Sequence, residues 1–182
     1  MILKYIILAL LRMRPMTGYD LQKKIESTIN YFWPSTQSQI YRSLKELTQH
    51  GSLEVKTEIQ EGRPNKKNYT VTDRGKGELD GWLSRPVDIP NHRSVFLVQL
   101  FFSKNLDPAA ILANLKAYEE EMAKRYDFLT SEEVRSRTAD SRKLSRLINE
   151  IVVENGVMAL ETELRWIRHA RERINQIART RG

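Results

Sequence analysis

The chain has 182 residues, of which 40% are hydrophobic, and this is enough for one compact domain or two small ones with a buried core. Lysine and arginine number 30 against 23 aspartate and glutamate residues, and the resulting charge of +7 favours a polyanionic partner. The absence of cysteine excludes disulfides, thiolate metal sites and cysteine nucleophiles, and it fits a cytoplasmic location.

The N-terminal segment predicts two helices. The apolar run Tyr5 to Leu11 is far shorter than the roughly 18 residues of a membrane span, so we expect a buried first helix and no membrane association. Thr17 opens a second helix, and Asp20 lies three residues on, as in a capping box. The apolar positions expected to pack are Ile2, Tyr5, Ile6, Ala9 and Leu10 in the first helix, and Tyr19, Leu21, Ile25 and Ile29 in the second.

A third helix follows the break at Pro34. Ser35 or Thr36 can cap its start, and Gly51 ends it. Its apolar residues Ile40, Leu44 and Leu47 are four and three apart, so they lie on one face. The opposite face is polar and therefore directed outward.

Alternating residues from Leu53 to Ile59 predict a strand, and Tyr69 and Val71 predict its partner. The intervening residues 61–67 contain turn formers and three cationic side chains, so we expect a hairpin with a basic tip. Thr72 then caps a fourth helix through Leu79, Trp82 and Leu83. Pro86 and Pro90 follow as a domain boundary, giving domains 1–88 and 89–182.

The second half has only helical patterns. A short helix is predicted from Val95 to Phe102, and Asp107 with Pro108 starts a long one. Thr130 and Glu133 have the spacing of a further capping box, and a last helix is predicted from about Asp140 to Ala178. The predicted fold class is therefore mostly α with a small β-hairpin, an N-terminal winged helix-turn-helix and a C-terminal all-helical dimerisation domain.

The last helix is too long to pack its whole apolar stripe within so small a domain. Unmatched apolar length usually indicates a partner helix, so we expect a homodimer. The residues predicted for its interface are Leu160, Leu164, Trp166 and Ile167.

The order of these elements is that of a winged helix, whose third helix reads DNA and whose hairpin is the wing. Glutamine can pair with adenine and arginine with guanine, while hydroxyls and lysines reach phosphates. Taken separately, the polar face of the third helix could be an ordinary solvated face, and the basic tip of the hairpin could be a turn that serves solubility. The predicted DNA-binding residues are Ser35, Gln37, Ser38, Gln39, Tyr41, Arg42 and Lys45 on the helix, and Arg63, Lys66 and Lys67 on the wing.

Tyr31, Phe32 and Trp33 form an aromatic cluster before the third helix. Core or inter-domain packing is the simpler interpretation. The alternative is a pocket for a planar small-molecule effector that changes the spacing of the two recognition helices.

Enzyme and metal sites are not predicted. The histidines His50, His92 and His169 share no ligand spacing, and no nucleophile, phosphate-loop or dinucleotide motif is present. We therefore expect no catalytic residues, no metal and no cofactor.

Five stretches resemble the N-terminal domain of the PadR family of bacterial transcriptional regulators. They are residues 17–21, 39–44, 50–51, 62–69 and 72–75, with the sequences TGYDL, QIYRSL, HG, GRPNKKNY and TDRG. Tyr31-Phe32-Trp33 and the long second half are more similar to the AphA-like, virulence-activator branch of that family. Asn68 departs from the bulky or basic residue expected there, which affects the details of wing contact.

The resemblance implies a homodimer with paired winged helices on a pseudo-palindromic operator in double-stranded DNA. Most regulators of the family are repressors, and the AphA-like branch includes an activator, so repression is the expectation and the direction stays open. The alternative function is a winged-helix protein-interaction module assembled through the C-terminal helices. Steep weakening by salt would distinguish DNA binding from it.

Overall fold

The described part of the protein is mostly helical with one small antiparallel sheet, which confirms the predicted fold class. The computed structural model describes residues 2–30, 33–59, 66–87, 93–138 and 143–180, without the side chains of residues 135, 137, 138, 179 and 180. The chain divides into two compact units, Met1–Pro90 and Asn91–Gly182.

The first unit contains four helices and a three-stranded sheet among its described residues. The sheet order is β1-β3-β2, and both pairs are antiparallel, with Met16 opposite Tyr69 and Leu53 opposite Val71. The two-residue strand β1 was not predicted. The elements are α1 Leu3–Met13, β1 Met16–Thr17, α2 Gly18–Thr28, α3 Gln37–Gln49, β2 Leu53–Glu58, β3 Lys66–Val71 and α4 Asp73–Leu83.

The core of this unit confirms the apolar face predicted for α3. Among the predicted packing positions, the Tyr19 side chain is 57% exposed, whereas Ile2, Tyr5, Ile6, Ala9 and Ile29 are only partly buried. Because α1 contacts α3, α4 and β3, its apolar residues are buried on more than one face. The most deeply buried side chains are Ile7, Leu8, Leu11, Leu21, Ile25, Ile40, Leu44 and Leu79.

The hairpin of β2 and β3 extends beyond this core. Leu53 and Val71 are buried at its base, whereas Val55 is 39% and Ile59 83% exposed. The alternation of β2 therefore marks a strand correctly, although it does not mark a buried face.

The second unit has α5 Val95–Phe102, a 3₁₀ turn Ser103–Asn105, α6 Pro108–Thr130, α7 Glu132–Thr138 and α8 Lys143–Thr180. The predicted cap of α6 is confirmed, because Asp107 Oδ1 accepts from the Ala109 amide at 2.9 Å. The predicted capping box of Thr130 and Glu133 is wrong. Thr130 is the last residue of α6, its hydroxyl donates to the Tyr126 carbonyl, and Ser131 accepts from the Val134 amide.

Helices α6 and α8 form the body of the second unit. Leu115, Met122, Leu160, Leu164 and Ile167 are buried between them or beside them. The carboxylate of Glu119, in the middle of α6, joins the two helices, since it accepts hydrogen bonds from Arg168 at 3.0 Å and from Arg171. Within the residues described, no helix has the length and apolar character needed to cross a membrane.

Candidate nucleic-acid interface

Helix α3 begins with a complete capping box. Gln39 donates its amide to Thr36 Oγ1 at 3.3 Å, and the Thr36 amide donates to Gln39 Oε1 at 2.9 Å. Two of the amides that a helix start leaves unpaired are thereby satisfied. Of the two caps considered, Thr36 is the one used.

Ile40, Ser43, Leu44 and Leu47 hold α3 on the core, and buried Ser43 was missed because a small hydroxyl gives no apolar signal. The side chains on the opposite face are exposed, and no hydrogen bond or ion pair within the described chain involves them, apart from Gln39. That outward face consists of Gln37, Ser38, Gln39, Tyr41, Arg42 and Lys45.

Two of the predicted contact residues have structural roles in addition. Gln39 uses its carbonyl oxygen in the cap, so only its NH₂ group remains for another partner while the cap is formed. Ser35 precedes α3 and is half-buried, and its hydroxyl donates to the Trp33 carbonyl at 3.3 Å.

Tyr41 differs from its neighbours on this face. Its side chain is 41% exposed, and its ring lies over Gly18, the first residue of α2. The sequence pattern alone assigned Tyr41 to the outward face and could not show this contact.

The start of α2 lies beside the wing. Thr17 and Asp20 form the predicted capping box, and Thr17 pairs with Asn68 of β3. Hydrogen bonds from the Thr17 hydroxyl and amide lower the pKa of Asp20, and the charge of Lys66 lowers it further. Lys66 lies on β3 two residues before Asn68, the partner of Thr17.

The wing presents two exposed cations at the start of β3, Lys66 and Lys67. On β2, Glu58 is the partner of Lys66 and Thr57 is the partner of Lys67, so Lys66 faces a residue with a carboxylate. Arg63 at the predicted tip lies outside the described residues.

Of the predicted aromatic cluster, Trp33 is 38% exposed, and Tyr31 and Phe32 lie outside the described residues. A separate cleft of about 480 Å³ lies between α1, the end of α3 and α4. Its wall contains a stacked pair, Tyr5 and Trp82, with ring centroids 4.6 Å apart. Local sequence patterns cannot reveal this stacked pair, because its two residues are far apart in the chain.

The residues predicted for the dimer interface pack inside the chain. Leu160 and Leu164 are each 6% exposed and Ile167 is fully buried, while Trp166 meets the Phe96 ring edge to face at 6.3 Å. Little of these side chains is left exposed within the single chain, and their role at a dimer interface stays a prediction. The part of the chain that the structure describes holds no cluster of metal-ligating side chains.

Several apolar side chains of the second unit are exposed instead. Helix α5 buries none of its residues completely and attaches through Phe96, whose ring stacks on Tyr118 of α6 at 3.8 Å. We call the exposed set the apolar surface. It consists of Val95, Val98, Phe101 and Phe102 on α5, and Leu144, Leu147, Ile148, Ile151 and Val152 on α8.

Two family models match the two halves of the chain. The model of the transcriptional regulator PadR-like family matches residues 7–81, and that of the virulence activator alpha C-terminal region matches residues 92–175. The first covers the winged helix, and the second covers α5, α6, α7 and most of α8.

Two curated relatives are transcriptional regulators. The negative transcriptional regulator PadR of Bacillus subtilis is 41% identical over 102 residues, a stretch that spans only 56% of this chain and 56% of that protein. The probable transcriptional regulator Rv1176c of Mycobacterium tuberculosis is 30% identical over 189 residues, covering 97% of this chain and 99% of that protein.

Solved structures share the fold over nearly the whole chain. Bacillus subtilis PadR in complex with operator DNA has a TM-score of 0.82 and 27% identity, covering 96% of this chain and 99% of that one. PadR in complex with p-coumaric acid has a TM-score of 0.80 and 26% identity, with the same coverage. The Vibrio cholerae virulence activator AphA, with a TM-score of 0.76 and 24% identity over 97% of this chain and 99% of that one, shares the fold.

The relatives are named as regulators and not as enzymes, in agreement with the absence of a catalytic motif from the sequence. The chain belongs to the PadR-like family of transcriptional regulators, with a C-terminal unit of the virulence-activator type.

Proposed function

We propose that the protein is a cytoplasmic, dimeric repressor that binds a pseudo-palindromic operator, with α3 in the major groove. The observation that carries this proposal is the outward face of α3, where polar and cationic side chains are exposed on a helix held firmly from behind. A major groove admits one α-helix and presents a distinct pattern of hydrogen-bonding groups for each base pair.

The base-reading residues in this proposal are Gln37 and Arg42, which can bind adenine and guanine through two hydrogen bonds each. Ser38 and Lys45 are assigned to nearby base edges or phosphates. Gln39 contributes its NH₂ group alone, because its carbonyl oxygen caps α3. Ser35 and Tyr41 are assigned to the margin of the contact.

The wing is assigned to the flanking backbone or minor groove. Lys66 and Lys67 are exposed on β3, and Arg63 belongs to the tip predicted from the sequence. Cations there would gain from the release of counterions and would bind DNA of any sequence.

The dimer is assigned to the apolar surface, covered by a second copy of the chain. Four apolar side chains of α5 are between 57% and 77% exposed, which is unusual for a short helix of this composition. Two copies related by a twofold axis would present two α3 helices to the two halves of a pseudo-palindrome.

Repression and control by a small molecule complete the proposal. They are supported by the relative named as a negative regulator and by the PadR structure with p-coumaric acid. The residues assigned to an effector pocket remain Tyr31, Phe32 and Trp33. This assignment would be supported if p-coumaric acid releases operator DNA and a non-aromatic acid does not.

The test is fluorescence anisotropy of the purified protein with the DNA upstream of its own gene, against unrelated DNA. Preference for the upstream fragment is expected, with affinity falling about a thousandfold or more between about 50 and 200 mM salt if roughly six to ten phosphates are contacted. Weak binding with little salt dependence would favour the protein-interaction alternative. A promoter reporter then measures the direction of regulation.

Arg42→Ala and Lys67→Ala separate the two kinds of contact. Arg42→Ala should cost about 1–3 kcal/mol at the operator and relax specificity, while Lys67→Ala should weaken all sequences alike and reduce the salt slope by about one. The matched control is Lys124→Ala, which removes an exposed cation from α6. Equal loss on all DNA for Arg42→Ala would contradict its assignment to a base.

A further inference from the structure

A glycine, Gly18 at the start of α2, allows the Tyr41 ring of α3 to lie close to the α2 backbone. A Cβ atom added to Gly18 would lie 2.8 Å from Cε1 and Cζ of Tyr41 and 2.9 Å from its hydroxyl oxygen. Carbon atoms do not approach so closely, so the Tyr41 ring occupies the space that any other residue at position 18 would fill. Glycine permits this close approach of ring and backbone.

The start of α2, on which the Tyr41 ring rests, lies beside β3 of the wing. Tyr69 lies on β3 opposite Met16, which immediately precedes the start of α2. Burial raises the pKa of Tyr69, and the nearby phenol of Tyr41 raises it further. The Tyr41 ring therefore lies where α2, α3 and β3 come together.

Because of the position of Tyr41 on α3, this contact constrains the rotation of the helix about its axis. Tyr41 follows Ile40, so its side chain leaves α3 about 100° around the axis from the buried stripe. Ile40 and Leu44 hold α3 against the core, and the contacts of α3 with α1, α2 and β2 oppose rotation of the helix about its axis. The contact of Tyr41 on Gly18 acts at a different angle around the helix axis from the buried stripe, so it limits this rotation further.

We infer that Tyr41 is a positioning residue, whose ring, seated on Gly18, sets the rotation of α3 and so the direction of its base-reading side chains. This inference rests on the proposed function, because the residues so directed are Gln37, Ser38 and Arg42. Paired hydrogen bonds to a base tolerate displacements of only about 0.5 Å, so a small rotation of α3 reduces specific binding. Contacts to phosphates depend less on the rotation.

The experiment is a double-mutant cycle on operator affinity with Gly18→Ala, Tyr41→Ala and the double variant. Gly18→Ala should weaken operator binding about tenfold, because the new methyl group displaces the ring. In the Tyr41→Ala background the same change should alter the affinity less than about twofold. Tyr41→Phe keeps the ring, so it should bind the operator more tightly than Tyr41→Ala, and Gly18→Ala should weaken it as it weakens the unaltered protein.

Folding is controlled within the same series. Gly18 has no positive φ, so its backbone accepts alanine, which is the better helix former. The thermal midpoint of Gly18→Ala should therefore not fall. Gly77→Ala on α4 is the matched control, since a Cβ there meets nothing within 4 Å, and its operator affinity should be unchanged.

The outcomes separate the inference from the proposed function. If the unaltered protein does not distinguish operator from unrelated DNA, the proposed function fails. If it does, but Gly18→Ala binds normally or the two changes are additive, the positioning role is overturned. Equal losses for Tyr41→Phe and Tyr41→Ala would overturn it as well, because the hydroxyl would then be the group that acts.

Discussion

The two units differ in how completely they bury their apolar side chains. In the first unit, helices α1, α2, α3 and α4 all contribute to one buried core, closed by Leu53 and Val71 of the sheet. In the second, α6 and α8 bury their facing side chains, yet α5 and the first part of α8 keep the apolar surface exposed. The first unit therefore buries most of its apolar side chains within itself, whereas the proposed dimer would cover those that the second unit leaves exposed.

The largest expected effect concerns the apolar surface. The double variant Phe101→Glu/Phe102→Glu places two charges on it, so we expect the protein to become monomeric by light scattering. Operator affinity should fall about 10²- to 10⁴-fold, because two linked recognition helices then bind separately. Circular dichroism should still show the helices, and Lys124→Glu on α6 is the control for added negative charge. A variant that stays dimeric would place the interface elsewhere.

The core of the first unit can be weakened separately. Leu44→Ala removes a fully buried side chain and should lower the free energy of unfolding by about 2–5 kcal/mol. Because Leu44 lies in the first unit, the dimer should persist under conditions where this unit unfolds. Leu83→Ala is the matched control, since this side chain is 62% exposed, and it should change stability by less than about 0.5 kcal/mol. Loss of the dimer together with the fold would contradict the independence of the two units.

The smallest effect concerns the ion pairs between α6 and α8. Burial raises the pKa of Glu119, but hydrogen bonds from Arg168 and Arg171 outweigh it, so the pKa lies below its ordinary value. The stabilisation is therefore present above the unfolded-state pKa and is lost as pH falls through the folded-state pKa. Glu119→Gln should cost about 1 kcal/mol near pH 7, since the two arginines are partly exposed.

The pH series provides the check on this prediction. In chemical denaturation, the difference between Glu119→Gln and the unaltered protein should shrink as the pH falls below about 4. Glu120→Gln, whose partner Lys116 is 3.9 Å away on the surface, should show almost no difference at any pH. A difference that does not depend on pH would mean that the carboxylate charge is not its source.

The sequence predicted the winged helix well because its signals are local. The capping residues Thr17, Thr36 and Asp107 act within three residues of themselves, so each helix start could be read directly. The buried stripe of α3 follows from its 3.6-residue period. The Thr130 prediction failed because Ser131, one residue on, offers the same hydroxyl.

The features that depend on tertiary contact could not be predicted in this way. The apolar stripe of α8 was correctly found, but the sequence does not say which part meets α6 and which part remains exposed. Strand β1 has two residues and exists only through its pairing with β3. The contact of Tyr41 with Gly18 joins two helices, so periodicity assigned Tyr41 simply to the outward face.

The capping box of α3 has a consequence for the evolution of related regulators. Thr36 and Gln39 are tied to the start of the helix, and Ile40, Leu44 and Leu47 are tied to the core. Positions 37, 38, 42 and 45 belong neither to the cap nor to the core, so substitutions there should hardly change the free energy of unfolding. In the proposed mode of DNA binding, a duplicated copy of the gene can therefore acquire a new target site by substitution at these four positions. We expect paralogues to diverge there first, while the capping and core positions stay constant.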